Sequence, residues 1–336
     1  MKRDIRISII RMICTLGVVI LHIFQQVELV FKPIYIATDW LNLSLVMFFC
    51  ISAFLYSQRQ ITKASKWYLH RYVEIAIPSL VVGLVVLVAF SVKGTINAEK
   101  VIGTLLSCLG LQVYAKNSWM FIQLWFLTYL LFFYLTVPLV QKIKCREMSE
   151  FKFWAAFAGV VISAQALSIA VESITNITLL STGILLRFYL PYFVFKRYDI
   201  NGERIRPVMR LFTAFSVIAI AGVCWVRYTP NIGLPASVAE LLFVYVQTIV
   251  GFTLFYWLYK VFGCVKNYRT ALKLSDKYSY EVYLTHCMFI AYNTSLIYAA
   301  KNMAIGIAAA LAATAISSVL LHYVSQAAKQ PLKRCF

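Results

Sequence analysis

The stretch ISIIRMICTLGVVILHIFQ, residues 7–25, is almost wholly apolar. As an α-helix it is long enough to cross the ~30 Å hydrocarbon core of a bilayer, which takes about 20 residues. Comparable apolar stretches recur along the chain, and the ten-residue alternating strands of an outer-membrane barrel are not seen. The sequence therefore predicts an all-α integral membrane protein.

Composition agrees with this class, because 61% of the 336 residues are hydrophobic and only 13% are charged, far from the values of soluble domains. We expect one integral-membrane domain over residues 1–336, a bundle of about ten transmembrane helices, with short connections and no soluble domain. A possible extra short helix lies within residues 97–115. The predicted spans lie near residues 7–25, 40–57, 76–92, 122–141, 153–171, 177–195, 208–227, 236–260, 278–299 and 302–326.

Basic residues are distributed unevenly between the two sides of this predicted bundle. Of the 32 lysines and arginines, 24 fall on one side and six on the other, while Arg11 and Arg187 lie inside spans. Since short cytoplasmic loops retain positive charge, both termini are predicted to be cytoplasmic. The basic residues behind the net charge of +19 are interpreted as setting the membrane topology and contacting anionic lipid headgroups. No nucleic-acid partner is expected.

The eight cysteines are scattered singly along the chain and form no C-x-x-C pair. With no histidine at ligand spacing from them, they are interpreted as small apolar residues of the core. The sequence therefore predicts neither a disulfide framework nor a metal site.

Arg11 and His22 stand eleven positions apart inside the first span. Eleven steps of 100° make three turns plus about 20°, so both lie on one helix face, roughly 16 Å apart along the axis. Arginine is suited to phosphate and histidine to proton exchange, which favours a phosphate-bearing donor near the cytoplasm and a reaction point deeper in the membrane. The alternative is that Arg11 reaches the cytoplasmic interface and His22 caps the outer end beside Gln25 and Gln26.

Arg187 is buried nearly halfway into the sixth predicted span and needs a partner or an aqueous cavity. Glu240 and Glu281 are the candidate partners. His286 follows Glu281 by five positions, so the two are about 140° apart on a helix and are not expected to form a dyad on one face. His322 is predicted to face inward or to lie at the interface.

Arg followed by ten residues and then His, written here IRMICTLGVVILHI (residues 10–23), resembles the signature of the bacterial integral-membrane acyltransferase 3 family. Five further stretches resemble motifs of the same family in the same order. They are LVMFFCISAFLYS (45–57), HRYVEIAIP (70–78), LWFLTYLLFFYLTVPLVQK (124–142), SDKYSYEVYLTHCMFI (275–290) and QPLKR (330–334).

Several positions depart from the family pattern. The glycine of the second-helix motif is Ala53, which still permits close helix approach. Where the family has two arginines three apart, Arg71 is followed by Glu74, so a second cationic contact to the donor is in doubt and Glu74 is interpreted as a partner of Arg71. Ser8 and Gln330 replace acidic residues of the family.

The resemblance implies transfer of an acyl group, usually acetyl from acetyl-CoA, to a hydroxyl of a cell-surface or lipid-linked saccharide in the plasma membrane of a bacterium. It implies that His22 acts at the reaction centre and that Arg11, with Arg71, contacts the CoA phosphates. Acceptor contacts are expected from residues 93–121 and 227–236. The residues expected to support the site are Ser52, Trp125, Arg187, Glu281 and His286.

A second class of function also fits the buried ionisable residues, namely a transporter or flippase of a lipid-linked saccharide, because such residues line substrate pathways. A third possibility is a bundle that has lost its activity. Acyl transfer by purified protein and its loss on His22→Ala distinguish the three.

Overall fold

The computed structural model describes residues 4–28, 31, 34–112, 115, 119–175, 182–228, 236–265, 270–291 and 295–333, and within them all regular secondary structure is helical. Short 3-10 helices at Trp119–Leu124, Cys145–Glu147 and Phe262–Cys264 accompany the α-helices. The α-helices are α1 (Ile5–Glu28), α2 (Tyr35–Leu41), α3 (Leu43–Ser57), α4 (Ala64–Val92), α5 (Ala98–Cys108), α6 (Trp125–Val140), α7 (Glu150–Thr175), α8 (Thr182–Arg197), α9 (Ile205–Tyr228), α10 (Ala236–Val261), α11 (Thr270–Ile290), α12 (Leu296–Ala299) and α13 (Met303–Lys333).

Seven helical segments in the described part of the chain are long and apolar enough to cross a membrane. They are formed by α1, α2 with α3, α4, α7, α9, α10 and α13. Each remaining predicted span coincides with a helix that falls short of these criteria: α6 and α8 have 16 residues each, and α11 carries two lysines, an aspartate and a glutamate. The protein is therefore a multi-pass membrane protein, although the predicted number of ten spans is not confirmed.

Two predicted boundaries are wrong. The third span is predicted to begin near residue 76, but α4 begins at Ala64, so the basic stretch 70–78 is helical. The predicted span 278–299 is interrupted, since α11 ends at Ile290 and α12 begins at Leu296. The Ser295 side chain caps the new helix by accepting a hydrogen bond from the Ile297 amide at 3.3 Å, as N-cap serines do.

The first of two compact units comprises Met1–Gly17, Asp39–Gln60 and Leu139–Leu272. Its core is aromatic, because rings on α8 and α10 pack edge to face, as Phe195 does against Phe252. Helices α3 and α10 approach closely at Gly251, where an added Cβ would lie 2.6 Å from a methyl carbon of Val46. A larger residue at Gly251 would therefore force these two helices apart.

The second unit comprises Val18–Thr38, Ile61–Pro138 and Lys273–Phe336. Its buried core brings Val19 and Ile23 of α1 together with Ile290 of α11, Ile297 of α12 and Ala310 of α13. Val19 and Ile23 lie on either side of His22 in the sequence, and Ile290 lies one turn beyond His286 on α11. Apolar packing of α1 on α11 therefore places the two histidines beside each other.

Candidate active site around two histidines

His22 of α1 and His286 of α11 form a direct ring contact in the second unit. Their ring centroids are 5.0 Å apart and the ring planes are inclined by 42°. His22 is partly exposed, whereas His286 is completely buried. The structure thus joins the predicted reaction-centre histidine to one of the residues predicted to support it.

Hydrogen bonds at Nδ1 fix the proton on each ring. Nδ1 of His22 lies 2.7 Å from Oε1 of Gln25, and Nδ1 of His286 lies 3.0 Å from the carbonyl oxygen of Val282. Both oxygens can only accept, so Nδ1 of each neutral imidazole carries the proton. Nε2 of each ring consequently keeps its lone pair and can accept a proton.

Cys287 contributes a third donor atom to this site. Its Sγ lies 3.2 Å from Nε2 of His286, and the ligand atoms of His22, His286 and Cys287 all lie within 4.8 Å of one another. Two imidazole nitrogens and a sulfur form a donor set that suits a soft or borderline cation such as zinc. The sequence predicts no metal site because it lacks C-x-x-C spacing. Spacing along the chain does not show that α1 and α11 bring these three side chains together.

A row of aromatic side chains leads from this histidine pair to α6. The ring of Tyr283 lies 6.0 Å from that of His286, Phe126 lies 5.8 Å from Tyr283, and Trp125 lies 6.3 Å from Phe126. The Tyr283 hydroxyl donates to the carbonyl oxygen of Gln123. Trp125, a predicted supporting residue, is therefore connected to the pair through intervening rings.

Glu281 has a different histidine as its partner. Its carboxylate lies 2.8 Å from Nδ1 of His322 on α13, and the Glu281 residue is only 4% exposed. One turn along α11, the hydroxyls of Thr285 and Ser318 lie 2.9 Å apart. Glu281 therefore stabilises the contact of α11 with α13.

Arg187 is buried in the first unit, where its guanidinium lies 3.5 Å from Oε1 of Gln247. The Gln247 amide donates in turn to the carbonyl oxygen of Asp39 at 2.6 Å. Glu240, one of the two carboxylates considered as a partner, is bound at 2.6 Å to Arg227. A glutamine thus provides a partner for Arg187 that charge-based reasoning had overlooked.

Three other predicted site residues lie on helices α1, α3 and α4. Arg11 and Ser52, both partly buried, belong to α1 and α3 of the first unit, and Arg71 belongs to α4. Glu74, one turn after Arg71, accepts a hydrogen bond at 2.7 Å from Lys329 of α13. The spacing of Glu74 from Arg71 did not predict Lys329 as a partner of Glu74.

The residues that sequence reasoning missed at this site are Tyr283 and Cys287. Each had a signal, since Tyr283 precedes His286 by three positions and so shares its helix face, while Cys287 directly follows His286. Parts of the two segments predicted to contact the acceptor, residues 113–114, 116–118 and 229–235, lie outside the described residues.

Comparison with known proteins gives one family for nearly the whole chain. Residues 4–323 match the family model described as an acyltransferase domain. No curated protein and no solved structure matches the chain at a significant level. The match includes α1 with Arg11 and His22 and α11 with His286. It confirms the resemblance noted in the sequence: the chain belongs to the acyltransferase 3 family of membrane acyltransferases.

Proposed function

We propose that the protein is an O-acyltransferase of the bacterial plasma membrane that transfers acetyl from acetyl-CoA to a hydroxyl of a cell-surface or lipid-linked saccharide. The observation that carries the proposal is the His22–His286 pair, whose rings are 5.0 Å apart and whose Nδ1 atoms both face oxygen acceptors. Family membership supports acyl transfer as the reaction.

His22 is the general base in this proposal, because it is the partly exposed member of the pair. Its Nε2 takes the proton of the acceptor hydroxyl while the hydroxyl oxygen forms a bond to the thioester carbonyl carbon. The bond from that carbon to sulfur then breaks, and the CoA thiolate leaves with the electron pair. The His22 imidazolium returns the proton to the thiolate, which regenerates the neutral ring.

His286 acts on this reaction through His22 and is therefore a positioning residue. Its ring packs against His22, and its own orientation is held by the Val282 carbonyl oxygen and the ring of Tyr283. A base that is held in one orientation avoids the cost of ordering it during the reaction.

The donor is proposed to contact Arg11 through its phosphates, with Arg71 as a second cation. Arg11 and His22 are eleven positions apart in the sequence, which in an α-helix corresponds to roughly 16 Å along the axis. This distance suits a long, phosphate-bearing donor such as acetyl-CoA, whose thioester lies far from its phosphates. Guanidinium groups bind phosphate in a bidentate manner.

The proposed topology has about ten membrane-spanning helices and cytoplasmic termini. It is supported by the bias of basic residues toward one side of the predicted bundle. Helices α6, α8 and α11 would supply the spans beyond the seven that are long and apolar enough alone. Labelling of single introduced cysteines from either side of the membrane would test this topology.

The decisive experiment uses purified full-length protein in liposomes with acetyl-CoA and saccharide acceptors extracted from the host cells. We expect release of free CoA and an acetylated glycan detected by mass spectrometry, with both lost in His22→Ala. Movement of a lipid-linked saccharide across the bilayer, without CoA release, would contradict the proposal and favour a flippase.

A further inference from the structure

The cluster formed by His22, His286 and Cys287 is built like a metal site as well as a proton-transfer site. Its three donor atoms lie within 4.8 Å of one another, and the sulfur of Cys287 lies 3.2 Å from Nε2 of His286. In a tetrahedral zinc site the donor atoms are separated by ~3.3–3.8 Å, given zinc bonds of about 2.0–2.3 Å. Small side-chain adjustments would therefore let all three atoms reach one ion.

The groups around the donors support metal ligation as well. A histidine that binds a metal through one ring nitrogen usually donates a hydrogen bond from the N–H of the other nitrogen to an oxygen acceptor, and this bond fixes the tautomer. Gln25 does this for His22 at 2.7 Å, and the Val282 carbonyl does it for His286 at 3.0 Å. Each imidazole is therefore already in the form that presents Nε2 to an ion.

Access to the cluster comes from the side of His22. His286 and Cys287 are both 0% exposed, whereas His22 is partly exposed. An ion entering past His22 would have three protein ligands and a fourth position left for water or another small ligand. This is the coordination that zinc adopts where a site is not fully closed by protein.

We propose that His22, His286 and Cys287 form a regulatory site that binds Zn²⁺ and thereby inhibits acyl transfer. Binding forms two Zn–N bonds and one Zn–S bond, and the thiol proton of Cys287 is released to solvent. The inhibition rests on the proposed function, because the ion takes the Nε2 lone pair that His22 needs as a base. Zinc binding itself does not depend on the reaction.

The first test measures metal binding without any reference to activity. The purified protein is exchanged into ZnCl2, dialysed, and its zinc content is determined by mass spectrometry. We expect about one zinc ion per chain that is lost in Cys287→Ala and retained in Cys108→Ala, a buried cysteine of the same unit next to Gly83. Equal zinc content in these three proteins would overturn the proposal.

A spectroscopic probe and a milder variant guard against effects on folding. Co²⁺ in place of zinc should give a thiolate-to-cobalt absorption band that Cys287→Ala lacks. Gln25→Ala keeps all three ligands but removes the oxygen bound to His22, and we expect it to weaken zinc binding by about 10-fold to 100-fold. The proposal would be overturned if Gln25→Ala bound zinc as tightly as the wild-type protein and the wild-type protein with Co²⁺ showed no thiolate-to-cobalt band.

The third test concerns inhibition and separates the two proposals. Zinc should lower the rate of CoA release by the wild-type protein, and a chelator should restore it. Protein that binds zinc at Cys287 but transfers no acyl group would disprove the proposed function and leave the metal site standing. Protein that transfers acyl groups with the same rate in zinc and in chelator would disprove the regulation.

Discussion

Two polar clusters share helix α11 of the second unit and differ in the chemistry of their partners. In the first, His22 and His286 have an amide oxygen, a backbone carbonyl and a thiol as partners, all of them neutral groups. In the second, His322 lies 2.8 Å from the carboxylate of Glu281. The two clusters therefore differ in charge, because the first has only neutral partners, whereas the second joins a histidine to a buried carboxylate whose loss would leave a polar group without its partner.

The comparison is tested most strongly by His22→Ala. Removal of the base should lower the rate of acyl transfer by about 10²–10⁴-fold, the usual contribution of a general base. The initial rate of CoA release at saturating acetyl-CoA measures it. The control is His70→Ala, an exposed histidine on α4, which should leave the rate within twofold. Wild-type activity in His22→Ala would remove the first cluster from the reaction.

A smaller effect is expected at His286, which acts through the position of the His22 ring. His286→Ala should lower kcat by about 10-fold to 100-fold, because small misplacement of a base costs that much, while KM for acetyl-CoA stays nearly constant. His286→Phe retains a ring against His22 and should recover part of the loss. If the alanine and phenylalanine variants were equally impaired, ring packing would not be the reason.

The second cluster should respond in stability more than in rate. Glu281→Ala leaves His322 without its acceptor and should lower the free energy of unfolding by about 1–3 kcal/mol, seen as a lower thermal midpoint in detergent. Glu281→Gln keeps an amide oxygen for His322 and should lose less. We expect the rate of acyl transfer per folded molecule to fall less than tenfold, and a larger fall would place Glu281 in the reaction.

The smallest effect concerns a third polar cluster, at the start of α1 in the first unit. Burial disfavours ionisation of Asp4, but hydrogen bonds from Arg6 and Tyr259 outweigh it and lower the pKa of the carboxyl group. The carboxylate therefore stabilises the fold above its unfolded-state pKa of about 3.9, and this contribution disappears as the pH falls through the lower folded-state pKa.

Asp4→Asn should accordingly lower stability at neutral pH by about 1 kcal/mol or less, because the pair is partly exposed. Thermal midpoints measured from pH 7 down to pH 3 should converge for the two proteins. A difference that stayed constant over this range would show that Asp4 acts through packing and not through its charge.

Hydropathy predicted a helix well where one continuous apolar stretch defines the helix. α1 and α10 follow the predicted spans closely because apolar length alone defines them. α4 was predicted too short, since its first turns carry polar residues that helix propensity tolerates but hydropathy rejects. The interruption after Ile290 was missed because apolar residues resume at Leu296, directly after the Ser295 cap.

The site was predictable only in part, for a related reason. The periodicity of α1 placed Arg11 and His22 on one face, and the resemblance singled out His286. That His286 reaches His22, and that Glu281 reaches His322, depends on packing of α1 and α13 on α11, which no single stretch of sequence encodes. Gln247 as the neighbour of Arg187 was missed because a neutral amide seldom stands out beside carboxylates.

The unequal exposure of the two histidines affects how well water can compete with the acceptor for the acyl group. Water carries the same kind of O–H bond as a sugar hydroxyl, so an open base would hydrolyse the thioester without benefit to the cell. His286 and Cys287 are completely buried, whereas His22 is partly exposed. An acceptor with a bulky body could cover the partly exposed His22 ring, whereas a lone water molecule could not, so this geometry would favour productive turnover over wasteful loss of the acyl group.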